Sequence, residues 1–98
     1  AGSRERDLLA RWAVARCLAH VLPDEASRQD AARAAGGYLE LGHAGPDVYE
    51  RIEAYVSAVA GRKLVSITGK SIETMKCADL LGDAGLEKAI KRALAGGK

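Results

Sequence analysis

Leu8, Leu9, Trp12, Ala15, Leu18, Ala19 and Leu22 fall at three- and four-residue steps, which confines them to one face of a helix. Arg4, Arg6, Arg11 and Arg16 fall largely on the other side. The same period governs nearly the whole chain and leaves little room for a sheet. Pro23 ends the first helix, predicted at about 5–21, and Asp24 can cap a second at about 25–41. Gly42 suits the position past a helix end, and His43-Ala44-Gly45 makes a short link. Pro46 opens a third helix, with Asp47 and Glu50 complementing its positive end. Val48, Ile52, Tyr55, Val56 and Val59 form its apolar stripe, and Gly61 closes it. Ser71 can cap a fourth helix that Gly82 ends, and Asp83 a fifth carrying Leu86, Ile90 and Leu94 on one face. The fold predicted is all-α: about five helices in one domain over residues 1–98, with residues 1–4 and 96–98 disordered.

The core is thin. Hydrophobic residues make up 48% of the chain, but 19 of them are alanines, and there is one Trp and no Phe. Burying a large side chain contributes roughly 1.5–3 kcal/mol, and an alanine far less. Gly36 and Gly37 stand inside an alanine-rich helix, where each glycine costs about 1 kcal/mol against alanine. Such a pair calls for close approach of another helix, either within the domain or across a dimer interface, or else marks a break in the helix. Fifteen basic against 13 acidic residues give a net charge of +2, which argues against a dedicated nucleic-acid-binding module. No apolar run is long enough to span a membrane. Nothing near Ala1 reads as a secretory leader, so Ala1-Gly2-Ser3 is either a cloning remnant or the trimmed front of an exported chain.

Little in the sequence points to catalysis. No GxSxG, P-loop, GxGxxG or HExxH pattern occurs, and Asp7, Asp30, Glu40 and Asp47 are dispersed. Cys17 and His20 are spaced C-x-x-H and, with Cys77 and His43, count four possible zinc ligands, but no finger-type pair spacing recurs. Cys17 as a nucleophile would sit in an apolar helix interior, which raises a thiol pKa. His20 is better read as a solvated side chain favouring the helix dipole. Spacing leaves the two cysteines open between two buried unrelated thiols and a disulfide. A disulfide closing about sixty residues would contribute roughly 4 kcal/mol. No cofactor or metal is expected.

The segment Gly61–Ser71 breaks the helical pattern. Leu64-Val65-Ser66-Ile67-Thr68 is β-branched, but a lone strand cannot make a sheet, so an ordered protruding loop between helices three and four is predicted. It presents Arg62, Lys63 and Lys70 around Leu64, Val65 and Ile67. Apolar residues on a braced loop are suited to entering a partner's cleft. The plainer alternative folds Leu64 and Ile67 back onto the core. If the loop binds, Ser66, Ile67, Thr68, Gly69 and Lys70 form its tip. Ser66 and Thr68 then offer hydroxyls, Ile67 an apolar anchor, and Lys63 and Lys70 steering charge.

Four segments in order carry a family resemblance: Arg11-Trp12-Ala13-Val14-Ala15-Arg16-Cys17-Leu18-Ala19, Gly37-Tyr38-Leu39-Glu40-Leu41, Val48-Tyr49-Glu50-Arg51-Ile52 and Glu73-Thr74-Met75-Lys76-Cys77. Over about residues 7–94 the chain resembles the immunity proteins that neutralise the fourth class of type VI secretion amidase effectors. The resemblance implies a periplasmic, all-helical protein without enzymatic activity, its leader already removed. Its partner would be a papain-like amidase effector that cuts the D-glutamyl–diaminopimelate bond of peptidoglycan stem peptides. It further implies a homodimer, no nucleic-acid partner and no membrane insertion. By position, Gly61–Ser71 corresponds to the loop that enters the effector's catalytic groove, and the matched cysteines imply that Cys17 and Cys77 pair. Leu41 stands where relatives carry Phe, and the loop is basic and β-branched instead of polar or acidic. The reading set against this one is a small cytosolic helical domain for protein interaction or nucleic-acid association.

Overall fold

The computed structural model describes residues 2–96. Five helices follow one another: α1 (Gly2–Val21), α2 (Glu25–Leu41), α3 (Pro46–Ala60), α4 (Glu73–Ala78) and α5 (Ala84–Leu94). Local chemistry explains most boundaries. The Asp24 carboxylate accepts from the Ser27 amide at 2.9 Å and starts α2 at the expected residue. Pro46 occupies the first turn of α3, and the Gly61 amide closes its end on the Ser57 carbonyl. Asp83 accepts from the Leu86 amide at 2.8 Å and caps α5.

Three expectations are corrected. Helix α1 begins at Gly2 with Glu5 in its first turn, so Gly2–Arg4, expected to be disordered, are helical. At the other end Gly96 turns out of α5 with a φ of +88°, and Ala1, Gly97 and Lys98 lie outside the described residues. Helix α4 starts at Glu73 because Ser71 pairs with Val65 and Ile72 takes the cap position with no side-chain bond. It ends at Ala78, short of the predicted Gly82, where the chain passes into tighter turns, Leu80 amide to Cys77 carbonyl and Leu81 amide to Ala78 carbonyl. Leu94 stays exposed, and Ala93 turns inward beside Leu86 and Ile90.

Helices α1 and α3 supply most of the core: Leu9, Trp12, Ala13 and Cys17 meet Val48, Tyr49, Ile52, Val56 and Val59. Leu80, Leu86 and Ile90 close it from the C-terminal side. Trp12 and Tyr49 pack edge to face with ring centroids 5.0 Å apart. Gly36 and Gly37 make no close approach within the chain: a Cβ added at either would meet nothing within 4 Å. Among the described residues, no helix is long and apolar enough to cross a membrane.

The Cys17 and Cys77 sulfurs are bonded at 2.08 Å, with Cα atoms 5.5 Å apart. Both residues are fully buried. The bond ties α1 to α4 and occupies both sulfurs, which removes them from the zinc set and from nucleophilic chemistry.

His20 is not merely a solvated end residue. Its Nε2 lies 2.6 Å from Glu53 Oε2, while Arg16 Nε donates to Oε1 at 3.0 Å and Ser57 Oγ donates to Oε2 at 3.1 Å. This carboxylate therefore joins α1 to α3. Burial pushes the Glu53 carboxyl up, but the hydrogen bonds from Arg16, His20 and Ser57 and the Arg16 charge outweigh it and hold it below its ordinary range. A carboxyl lowered in the folded state stabilises the fold above the ordinary carboxylate range. It loses that contribution as pH falls through the folded value. Glu53→Gln is expected to cost about 1 kcal/mol near neutral pH. Thermal melts across a pH series should show the gap from the parent protein closing on acidification.

Candidate functional site

The segment between α3 and α4 folds back on itself as a small hairpin. The Ile72 amide donates to the Leu64 carbonyl at 2.9 Å, the Ser66 amide to Lys70 at 2.8 Å, and the Gly69 amide to Ser66 at 2.9 Å. Val65 and Ser71 form an antiparallel bridge. The lone-strand objection is thus answered by the segment itself, whose descending leg supplies the pairing. Ile67, Thr68 and Gly69 make a three-residue connection, and Gly69 has a φ of +86°. That left-handed final residue fits the preferred three-residue hairpin, in which a turn is closed by a glycine bulge.

The two hydroxyls predicted to face a partner first bond each other. Ser66 Oγ and Thr68 Oγ1 are 2.8 Å apart, and Ser66 Oγ also accepts from the Lys70 amide at 3.3 Å. One hydroxyl hydrogen is used inside the turn, and one remains for an outside acceptor. Ser66 therefore stiffens the tip as well as decorating it. Between these hydroxyls Ile67 stands clear, with a relative exposure of 107%, and Val65 is 55% exposed. Leu64 is half-buried at the base, whereas Lys63 and Lys70 are exposed. Only Leu64 shows any of the folding-back that the plainer reading required. An isoleucine held fully in water on a turn contributes nothing to the fold beneath it.

Lys76 braces the base of the hairpin, a role that its place in the Glu73–Cys77 segment of the resemblance did not reveal. Its Nζ donates to the Ala60 carbonyl at 2.8 Å and the Arg62 carbonyl at 2.6 Å, and pairs with Glu73 Oε1 at 2.8 Å. The residue is buried, and it is followed directly by the disulfide-bonded Cys77. The final carbonyls of a helix lack intrahelical partners, so a cation there satisfies groups that would otherwise need water.

These features describe a small helical domain that presents a stiff hairpin at one junction of its helices. The comparisons with known proteins agree with that class. The family model described as type VI secretion system amidase immunity protein, Tai4, matches residues 7–90. The chain belongs to this family. Its fold is similar to a chain in the structure of the effector–immunity system Tae4/Tai4 from Salmonella typhimurium. The two are 34% identical, with a TM-score of 0.81 and coverage of 90% of this chain and 87% of that one. No curated protein sequence matches this one.

Proposed function

We propose that this chain binds and inhibits a cognate type VI secretion amidase in the periplasm by inserting its hairpin into the active-site cleft. It protects the cell without catalysing a reaction itself. The observation that carries this reading is Ile67, exposed entirely at the end of a hairpin whose backbone is bonded to itself and whose base is clamped to the helices. Because the tip is ordered before binding, little entropy is lost on entering a cleft. Lys63, Ser66, Ile67, Thr68, Gly69 and Lys70 are the contact residues: Ile67 is the apolar anchor, and the two lysines steer toward acidic groups at the rim. A disulfide between two fully buried sulfurs suits an oxidising compartment. The target enzyme is a papain-like endopeptidase acting on peptidoglycan stem peptides.

The chain also pairs with a second copy of itself. Val14 and Leu18 of α1, with Ala34 and Tyr38 of α2 and the exposed Leu81, line a largely apolar groove rimmed by Asp7 and Arg11. A matching helix pair would bury this groove.

The test uses a purified type VI secretion amidase of the effector class that this family is matched with. Hydrolysis of stem peptides is expected to fall to zero as the chain is added stoichiometrically. Amidase whose catalytic thiol carries a bulky alkyl group should bind the chain at least tenfold more weakly. Inhibition from a remote site would leave that affinity unchanged and overturn the occlusion mechanism. Failure to inhibit the enzyme at all would overturn the function.

A further inference from the structure

Helix α4 has six residues, far fewer than an isolated helix needs to persist in water. Two consecutive side chains hold it in place. Cys77 fastens it to α1 through sulfur, and Lys76 fastens it to the end of α3 through its ammonium. The two carbonyls that Lys76 grips, those of Ala60 and Arg62, flank Gly61, where the chain leaves α3 for the hairpin. The carboxylate it pairs with, Glu73, is the residue at which the hairpin's return leg becomes α4. All three ammonium hydrogens are therefore used, and both junctions of the hairpin with the helices close on one atom.

For stability alone this is an inefficient choice, since an apolar side chain can often replace a buried charge without loss. What an apolar chain cannot do is fix direction. A hydrogen-bonded ammonium with three partners specifies where each must lie. The hairpin's internal bonds hold its two legs together but do not aim them.

We infer that Lys76 is a positioning residue for inhibition: it sets the angle of the hairpin against the helical body, so affinity depends on a side chain that never reaches the partner. This rests on the hairpin being the inhibitory element. Without the ammonium the hairpin swings about Gly61 and Glu73, and only a fraction of molecules present it in the binding-competent pose. The apparent affinity falls by that fraction, through the association rate.

The test compares Lys76→Met, Lys76→Arg and Glu73→Gln with the parent chain, using the helical CD signal at neutral pH as the folding control. In Lys76→Met, amide order parameters of residues 64–72 should drop below about 0.6 while those of α1 and α3 stay near 0.85. Association with the amidase should slow at least tenfold with dissociation changed less than threefold. Lys76→Arg should recover most of the rate, and Glu73→Gln should lose a smaller part of it, about threefold. Unchanged order parameters, or unchanged association, in Lys76→Met would overturn the role. If that variant loses its helical signal, Glu73→Gln decides by the same two readouts. Ile67→Asp is measured alongside. Undiminished binding by that variant defeats the hairpin reading itself, whereas lost binding there with intact binding by Lys76→Met defeats only the assignment of Lys76.

Discussion

Replacing Cys17 and Cys77 together by alanine is expected to lower the melting temperature by about 15–30 °C. The two residues are 60 apart in sequence, so the bond removes a great deal of freedom from the unfolded chain. The chain-entropy relation gives roughly 4 kcal/mol for a loop of that length, and a domain of this size shifts by about 4–8 °C per kcal/mol. A chain in which 19 of the hydrophobic residues are alanines and none is phenylalanine has little to offset such a loss. Alanine is the right replacement, because serine would bury an unpaired hydroxyl where both sulfurs are fully enclosed. Thermal unfolding followed by circular dichroism, with and without reductant, checks the effect. A shift below about 5 °C would mean that packing around α1 and α3, not the cross-link, carries the fold.

Ile67→Asp is expected to leave the free protein unaltered and to weaken binding to the amidase by two to three orders of magnitude. Ile67 touches nothing it could lose, so its stability effect should lie within about 0.5 kcal/mol. In the complex the same position must desolvate, and an apolar anchor at an interface contributes about 2 kcal/mol or more. Aspartate both removes that anchor and buries a charge without a partner, and the second penalty adds to the first. Surface plasmon resonance against the amidase and a melting curve of the free variant together separate the two expectations. Full affinity in a normally folded variant would remove the tip from the interface. A lowered melting temperature would show that Ile67 serves the fold instead.

Where a boundary is written in one residue's chemistry, the sequence was enough to place it. Asp24, Pro46, Gly61 and Asp83 each act on their own neighbours, and α2, α3 and the start of α5 begin or end where those residues direct. Ser71 failed as a cap because a competing partner, Val65, lies across a turn whose pairing is not a local property. The hairpin's position was legible from the break in helical period and the β-branched run, but the residue types left open whether Ile67 stands clear or folds back onto the core. The hairpin's closure on itself depended on backbone bonds that leave no mark in residue type. The cysteine pairing could not be decided by spacing, since 60 residues of intervening chain say nothing about proximity; the family resemblance supplied it. Lys76 was invisible for a related reason. A lysine on a short helix reads as solvated, and its partners are backbone carbonyls 14 and 16 residues earlier, groups that every residue carries. Gly36-Gly37 was read as a sign of close helix packing, yet the space beside both is open within this chain.

The hairpin's backbone bonds begin and end within residues 64–72, and the four-residue turn Ser66–Gly69 takes no part in the buried core. On the proposed occlusion mechanism, recognition and folding are therefore written in separate stretches of the chain. The turn can be exchanged for another of equal length, keeping glycine at its last place, without disturbing the helices. On that mechanism, retargeting such a protein to a differently shaped enzyme becomes a matter of rewriting this turn together with the lysines that flank it, Lys63 and Lys70.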